Sequence, residues 1–160
     1  MNYSIFVRPA VPRDCERLAP KVKPDDILEV EATGNCTALE ALHKGLDGDE
    51  CLYAYCGHYY GPIAMYGISS YKDGDGTTVG VPWMLSREFK DHQKREVWRH
   101  SKEAIERWSQ QHAYLIQWVP TVNKKTIRWL KALGFECCET SIAPYKPIEL
   151  ITMIKRGTNV

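Results

Sequence analysis

No apolar run in this chain approaches the roughly 20 residues that a membrane-spanning helix needs. The opening MNYSIFVRPAVPRD also lacks the basic-then-apolar pattern of a secretory signal. The expectation is a protein that works in a reducing cytosol. Charge of one sign is missing too: 21 Lys and Arg face 20 Asp and Glu, a formal net charge of +1. That balance removes any global electrostatic reason to expect nucleic acid or an anionic membrane as partner, so an anion site must come from local clustering. Six cysteines are present, at Cys15, Cys36, Cys51, Cys56, Cys137 and Cys138, but they form no CxxC pair and no Cys/His cluster at zinc-site spacing. No metal is expected. Cys51, Cys56, Cys137 and Cys138 fall in or beside expected strands, where a thiol acts as a small apolar filler. No internal repeat or low-complexity tract appears.

What is present is one domain's worth of chain, residues 1–160, with 44% hydrophobic and 26% charged residues, ordinary for a globular protein. Ile5 to Pro9 reads as a short strand. Pro12 to Ala19 reads as a helix, because proline suits the first turn and acids its positive end. A second helix opens at Asp25 and stops at Gly34. A third runs from Thr37 to His43, with Thr37 and Glu40 spaced as a capping box. The pattern then turns to sheet: Cys51 to Cys56 and Ile63 to Ile68 form a hairpin, with His58, Tyr59 and Tyr60 at a turn where they could line a substrate edge. Thr78 to Leu85 is the third strand of this group, and its Pro82 implies an edge or a bulge. Asp91 to Gln111 is the longest helix, with Val97, Ser101, Ala104, Ile105 and Trp108 on one face. Tyr114 to Val119, Glu136 to Ile142 and Ile148 to Ile154 are further strands, the last central or at an edge. Spacing places the five tryptophans mostly in the core, with Trp129 the one to watch as an interface anchor. The order of elements predicts an α+β sheet with helices on both faces.

The stretch from Asn123 to Phe135 carries the most information. Ile127, Leu130 and Leu133 recur at helical spacing, Lys124, Lys125, Arg128 and Lys131 fill the other face, and Gly134 can take the left-handed turn that ends a helix. Asn123, Gly134 and Phe135, with Thr126 at a small position, resemble the final helix of the GNAT superfamily of N-acetyltransferases, written N-x-x-A-x-x-x-Y-x-x-x-G-F. The element order over nearly the whole chain is similar as well. Within that family the Pro82-Trp83-Met84-Leu85-Ser86 strand end, the Lys94-Arg95 helix start and Ile127 to Lys131 resemble a group of small acetyltransferase-like and internal virion proteins of T7-like podoviruses.

The resemblance implies a mostly antiparallel sheet with a central parallel, splayed strand pair that receives the pantetheine arm of acetyl-CoA. It also implies where this chain departs from the pattern. The pyrophosphate loop of the family is usually glycine-rich, whereas Ser86 to Arg95 contains no glycine and instead gathers Arg87, Lys90, His92, Lys94 and Arg95. Such a cluster could hold phosphates by side-chain charge, with Glu88, Asp91 and Glu96 as its competing partners. Leu130 stands where the family carries the Tyr that protonates the leaving thiolate. The expected cofactor contacts are therefore Leu85, Lys90, Lys94, Arg95 and Asn123, with Glu88, just past the strand end, as the candidate base. Two readings follow: a phage-type acyl-CoA-dependent N-acetyltransferase with a degenerate cofactor loop, or a catalytically silent protein-binding module acting on a virion or host protein in the host cytoplasm or the virion. A nucleic-acid site on Lys124, Lys125, Arg128 and Lys131 is disfavoured by the near-zero net charge.

Overall fold

The computed structural model describes residues 4–57 and 61–158. His58, Tyr59 and Tyr60, expected at a substrate edge, lie outside the described residues. Seven strands form one sheet: β1 (Ile5–Pro9), β2 (Glu50–Cys56), β3 (Gly61–Lys72), β4 (Thr78–Ser86), β5 (Tyr114–Pro120), β6 (Glu136–Ile142) and β7 (Glu149–Arg156), in the order β1-β2-β3-β4-β5-β7-β6. Every pair is antiparallel except β4 with β5. The parallel pair follows from its crossover, since strands joined through a long helix return in the same direction. Five α-helices cover both faces: α1 (Pro12–Leu18), α2 (Pro24–Gly34), α3 (Ala38–Gly45), α4 (Asp91–Gln111) and α5 (Lys124–Ala132).

Each face has its own core. On one side Val97, Ala104, Ile105 and Trp108 of α4 and Leu130 and Leu133 beside α5 pack on Tyr66, Leu115, Val119 and Met153. On the other, Cys15 and Leu18 of α1 and Leu42 of α3 pack on Tyr53, Met65 and Leu85. A third, smaller cluster joins Ala32 of α2 to Ala143 and Leu150, with Trp118 against it. The unbroken buried run of β3 from Pro62 to Ile68, with apolar side chains on both faces, is what a sheet covered by helices on both sides requires.

Several expectations change in the fold. The first helix ends at Leu18 and continues as a short 3-10 turn over Ala19–Lys21, because Pro20 cannot donate to the ladder. Gly34 is the last residue of α2, and Asn35 takes the left-handed conformation after it, at φ 50°. Pro82 lies neither on an edge strand nor at a bulge, for β4 is flanked by β3 and β5 with an unbroken β3 register. The last strand is central, between β5 and β6. Of the tryptophans only Trp108 is fully buried, at 2% exposure. Trp83, Trp98, Trp118 and Trp129 are half-buried. Trp129 spends its ring on Trp98, edge-on at 5.1 Å, rather than on an open face. Cys137 and Cys138 are exposed on the edge strand β6, not filling apolar space, while Cys56 is buried and Cys51 half-buried.

Candidate functional site

Pairing between β4 and β5 covers only Val79↔Tyr114 and Gly80↔Leu115. Beyond that point the two strands run on in the same direction without partners for each other, and a slot opens between them. The stretch of β4 from Gly80 to Ser86 spans roughly 20 Å at about 3.3 Å per residue. The β3 register and the bond from the Arg87 N–H to the Ile63 carbonyl (3.0 Å) show which peptide groups face the slot. Odd-numbered residues of β4 bond to β3, so the N–H and C=O of Met84 and the C=O of Pro82 turn toward the gap. Leu85 directs its own peptide groups to β3 and buries its side chain with Tyr53 and Met65. Pro82 is tolerated in a central strand because its missing donor would have pointed into the slot, where β5 no longer pairs.

The outer end of the slot is tied down by the start of α2. The Ser86 N–H donates to Asp26 Oδ2 (3.0 Å), the Lys23 N–H donates to the Ser86 carbonyl (2.9 Å), and Lys23 Nζ reaches Ser86 Oγ (3.0 Å). Lys23 Nζ also pairs with Asp26 at 3.5 Å and lies 5.3 Å from the Phe89 ring. Beyond Ser86 come Glu88 and Lys90, both exposed, then α4 with Lys94 and Arg95 exposed on its first turns. The buried Gln93 accepts the Lys90 N–H through Oε1 (2.9 Å), so the helix caps its own start. That bond takes the Lys90 N–H, one of the backbone donors at this end, and leaves Lys94 and Arg95 as nearby exposed cations. Lys94 is held 3.1 Å from Asp91, a pair that is exposed on both sides and weak in water.

Because β4 and β5 are parallel, their carboxyl ends lie at the same edge, and this brings Asn123 to the slot from the other side. Asn123 caps α5, its Oδ1 accepting the Thr126 N–H at 3.4 Å. The residue is 9% exposed, and its Nδ2 is buried with no hydrogen-bond partner among the described residues. A buried donor left without an acceptor costs about 1–3 kcal/mol, and Trp83 Nε1, His100 Nε2 and Ser101 Oγ share that state among the described residues. Leu130, nearly two helical turns along α5, is packed into the core at 9% exposure and offers the slot nothing to titrate.

One acidic group at this site was not singled out by the sequence. Glu29 of α2 lies within 3.5 Å of Gln117 Nε2, and Gln117 stands on β5 two residues beyond the last pair with β4. Its carboxyl therefore lies part way along the slot, between the last strand pair and the Asp26–Ser86 bond one turn earlier on α2, whereas Glu88 lies beyond the outer end. Glu29 is partly open to solvent yet densely surrounded by protein, the condition of a group in a narrow slot. Burial pushes its carboxyl up to about 8; repulsion from Asp26 adds to this and Lys23 opposes it. Helical spacing could have flagged it, since Asp26 and Glu29 share a face of α2 at i, i+3. What no spacing could tell is that this face looks onto the gap between two strands far along the chain.

No family model matches the sequence, and no curated protein matches it. Solved structures do. An aminoglycoside N(6')acetyltransferase from Legionella pneumophila superposes with a TM-score of 0.69 at 15% identity, over 98% of this chain and 94% of that one. Ribosomal-protein-alanine N-acetyltransferase from Brucella melitensis gives 0.64 at 19% identity, over 94% and 99%. A GNAT-superfamily phosphinothricin acetyltransferase from Sinorhizobium meliloti, in complex with AcCoA, gives 0.66 at 12% identity, over 98% and 91%. At these identities the likeness speaks to architecture alone, and it speaks to nearly all of it: this chain has the GNAT fold.

Proposed function

We propose that the protein is an acyl-CoA-dependent N-acetyltransferase whose cofactor loop has lost its glycines. The observation that carries the reading is the slot between β4 and β5, with a buried, unpartnered Asn123 Nδ2 at its mouth. When bound there, acetyl-CoA supplies a thioester-linked acetyl group that an amine can accept. The Met84 peptide and Asn123 Nδ2 would hold the amide-bearing arm. Lys90, Lys94 and Arg95 would meet the phosphates by side-chain charge, with Leu85 anchoring the strand end behind them and Glu88 beside them. A structural neighbour solved in complex with AcCoA supports this choice of cofactor. The podovirus resemblance adds that the protein acts in a phage-infected host cell, and that a host or virion protein is a partner or acceptor.

Calorimetric titration with acetyl-CoA tests the reading. Binding is expected at low salt and should weaken toward physiological salt, where surface charges are screened over about 8 Å. Lys94→Ala with Arg95→Ala should remove most of the affinity. Absence of binding at low salt would overturn the proposal, and tight binding that survives the double change would place the phosphates elsewhere. The burial of Leu130, where a phenol would otherwise serve as acid, favours one second reading: a silent GNAT fold used as a protein-binding module. Acetyl-CoA binding without transfer to any amine is its signature.

A further inference from the structure

Resting on the acetyltransferase reading, we propose that Glu29 is the group that takes the proton from the acceptor amine, so that the acceptor enters from the α2 side of the slot. Three observations converge on it. An extended molecule whose anionic end sits among Lys90, Lys94 and Arg95 directs its other terminus along β4 toward Gly80, where the slot closes. Glu29 lies 3.5 Å from Gln117, two residues outward of the last strand pair, and so stands beside the path of that terminus part way along the slot. The helix that carries it is fastened to the slot through the Asp26–Ser86 and Lys23–Ser86 bonds, so α2 cannot drift from β4 without breaking three contacts. Glu88, the acid nearest in sequence, lies at the opposite end of the strand and is exposed.

The chemistry then balances. Glu29 Oε removes one proton from the acceptor ammonium, and the freed nitrogen lone pair forms the new C–N bond as the thioester C–S bond breaks. The second nitrogen proton goes to the departing thiolate, and Glu29 returns its own proton to water. Direct transfer to the thiolate is consistent with Leu130, which has no proton to give. A base works best when its pKa is near the working pH, and burial holds Glu29 well above an ordinary carboxylate. The charged groups that act on it are Asp26, which raises its proton affinity, and Lys23, which lowers it.

The test uses the full chain, acetyl-CoA, and two probe acceptors: spermidine and a short peptide with a free N-terminus and one lysine. Glu29→Gln is expected to bind acetyl-CoA as the wild type does by calorimetry, to lose transfer by about 10²–10⁴-fold, and to lose the rise of kcat/KM with pH that the wild type shows between 6 and 9. Glu29→Asp, with its shorter reach, should retain part of the rate and the pH dependence. Unchanged transfer in Glu29→Gln, or loss of transfer in Glu88→Gln alone, overturns the assignment. Wild-type protein that binds acetyl-CoA yet transfers to neither acceptor removes the acetyltransferase reading in favour of the silent module, and this assignment with it. Absence of acetyl-CoA binding is a different failure, for it removes the acetyltransferase reading itself.

Discussion

Asp14 and Glu29 are both carboxylates on the same helical layer, and their surroundings push them in opposite directions. Burial acts against ionised Asp14, but two bonds from Arg8 (2.7 and 2.8 Å) and one from the Val11 N–H (2.8 Å) more than offset it and hold its carboxyl below the usual range. Arg8 in turn sits over Tyr53, its Cζ 4.6 Å from the ring centre. A depressed folded-state pKa stabilises the fold above the unfolded pKa, and that contribution disappears as pH falls through the folded value. Asp14→Asn should therefore cost about 1–3 kcal/mol at pH 7 by stranding Arg8 and Val11. The difference from wild type should shrink below about pH 4, as urea titrations at pH 7 and pH 3 would show. Glu29 has the reverse sign: its raised pKa favours the fold at low pH, and that contribution fades as pH rises through about 8. Residue by residue, acids that look alike in the sequence are given lower or higher proton affinity by whether the fold supplies partners.

At the scale of elements, α5 and the turn after it show how local chemistry sets the geometry of the site. Asn123 caps the helix, and Gly134 ends it at φ 101°, a conformation open to glycine and strained for L side chains. The Phe135 N–H then bonds back to the Leu130 carbonyl at 3.0 Å, and Phe135 is 3% exposed in the core. A methyl group on Gly134 would sit 2.8 Å from Lys155 Nζ, a flexible end that can move, so the backbone strain should dominate. Gly134→Ala is expected to destabilise by about 1–3 kcal/mol, read as a lower midpoint in urea with an unchanged slope. If stability is unaffected, the left-handed turn is not what stops this helix. The start of α4 makes the complementary point. Gln93 turns back to accept the Lys90 N–H, which takes one backbone donor out of the loop before the helix.

For the whole molecule, the split between β4 and β5 divides one sheet into two halves that meet along only two residue pairs. A ligand that bridges the gap should stiffen the junction. Saturation at 100 times the dissociation constant adds about 2.7 kcal/mol to stability, which corresponds to several degrees in Tm for a domain of this size. Hydrogen exchange should resolve where. The Met84 amide, facing the slot, is expected to slow with acetyl-CoA, while the amides of Trp83 and Leu85, already bonded toward β3, should change little. Equal protection along β4, or none at Met84, would mean the arm does not lie on this edge.

The α+β class, the order of elements and the limits of α4 were legible in the sequence, because helical and strand periodicities and the punctuation by Pro, Gly and Asn are local properties. So was the Asn123-to-Phe135 helix, where cap, apolar spacing and stop signal all agree. The rest was decided by pairing between distant segments. Nothing near Pro82 in sequence says that β5 will leave β4 at Gly80, so the proline looked like an edge marker until the slot gave its missing N–H a reason. Glu29 looked like one more acid on a polar helix, and only the packing of α2 onto the gap near Gln117 sets it in a desolvated place. Local sequence determines which elements form; tertiary contact determines which of their polar atoms lose water, and desolvation is what turns an ordinary Asn or Glu into a binding or reactive group.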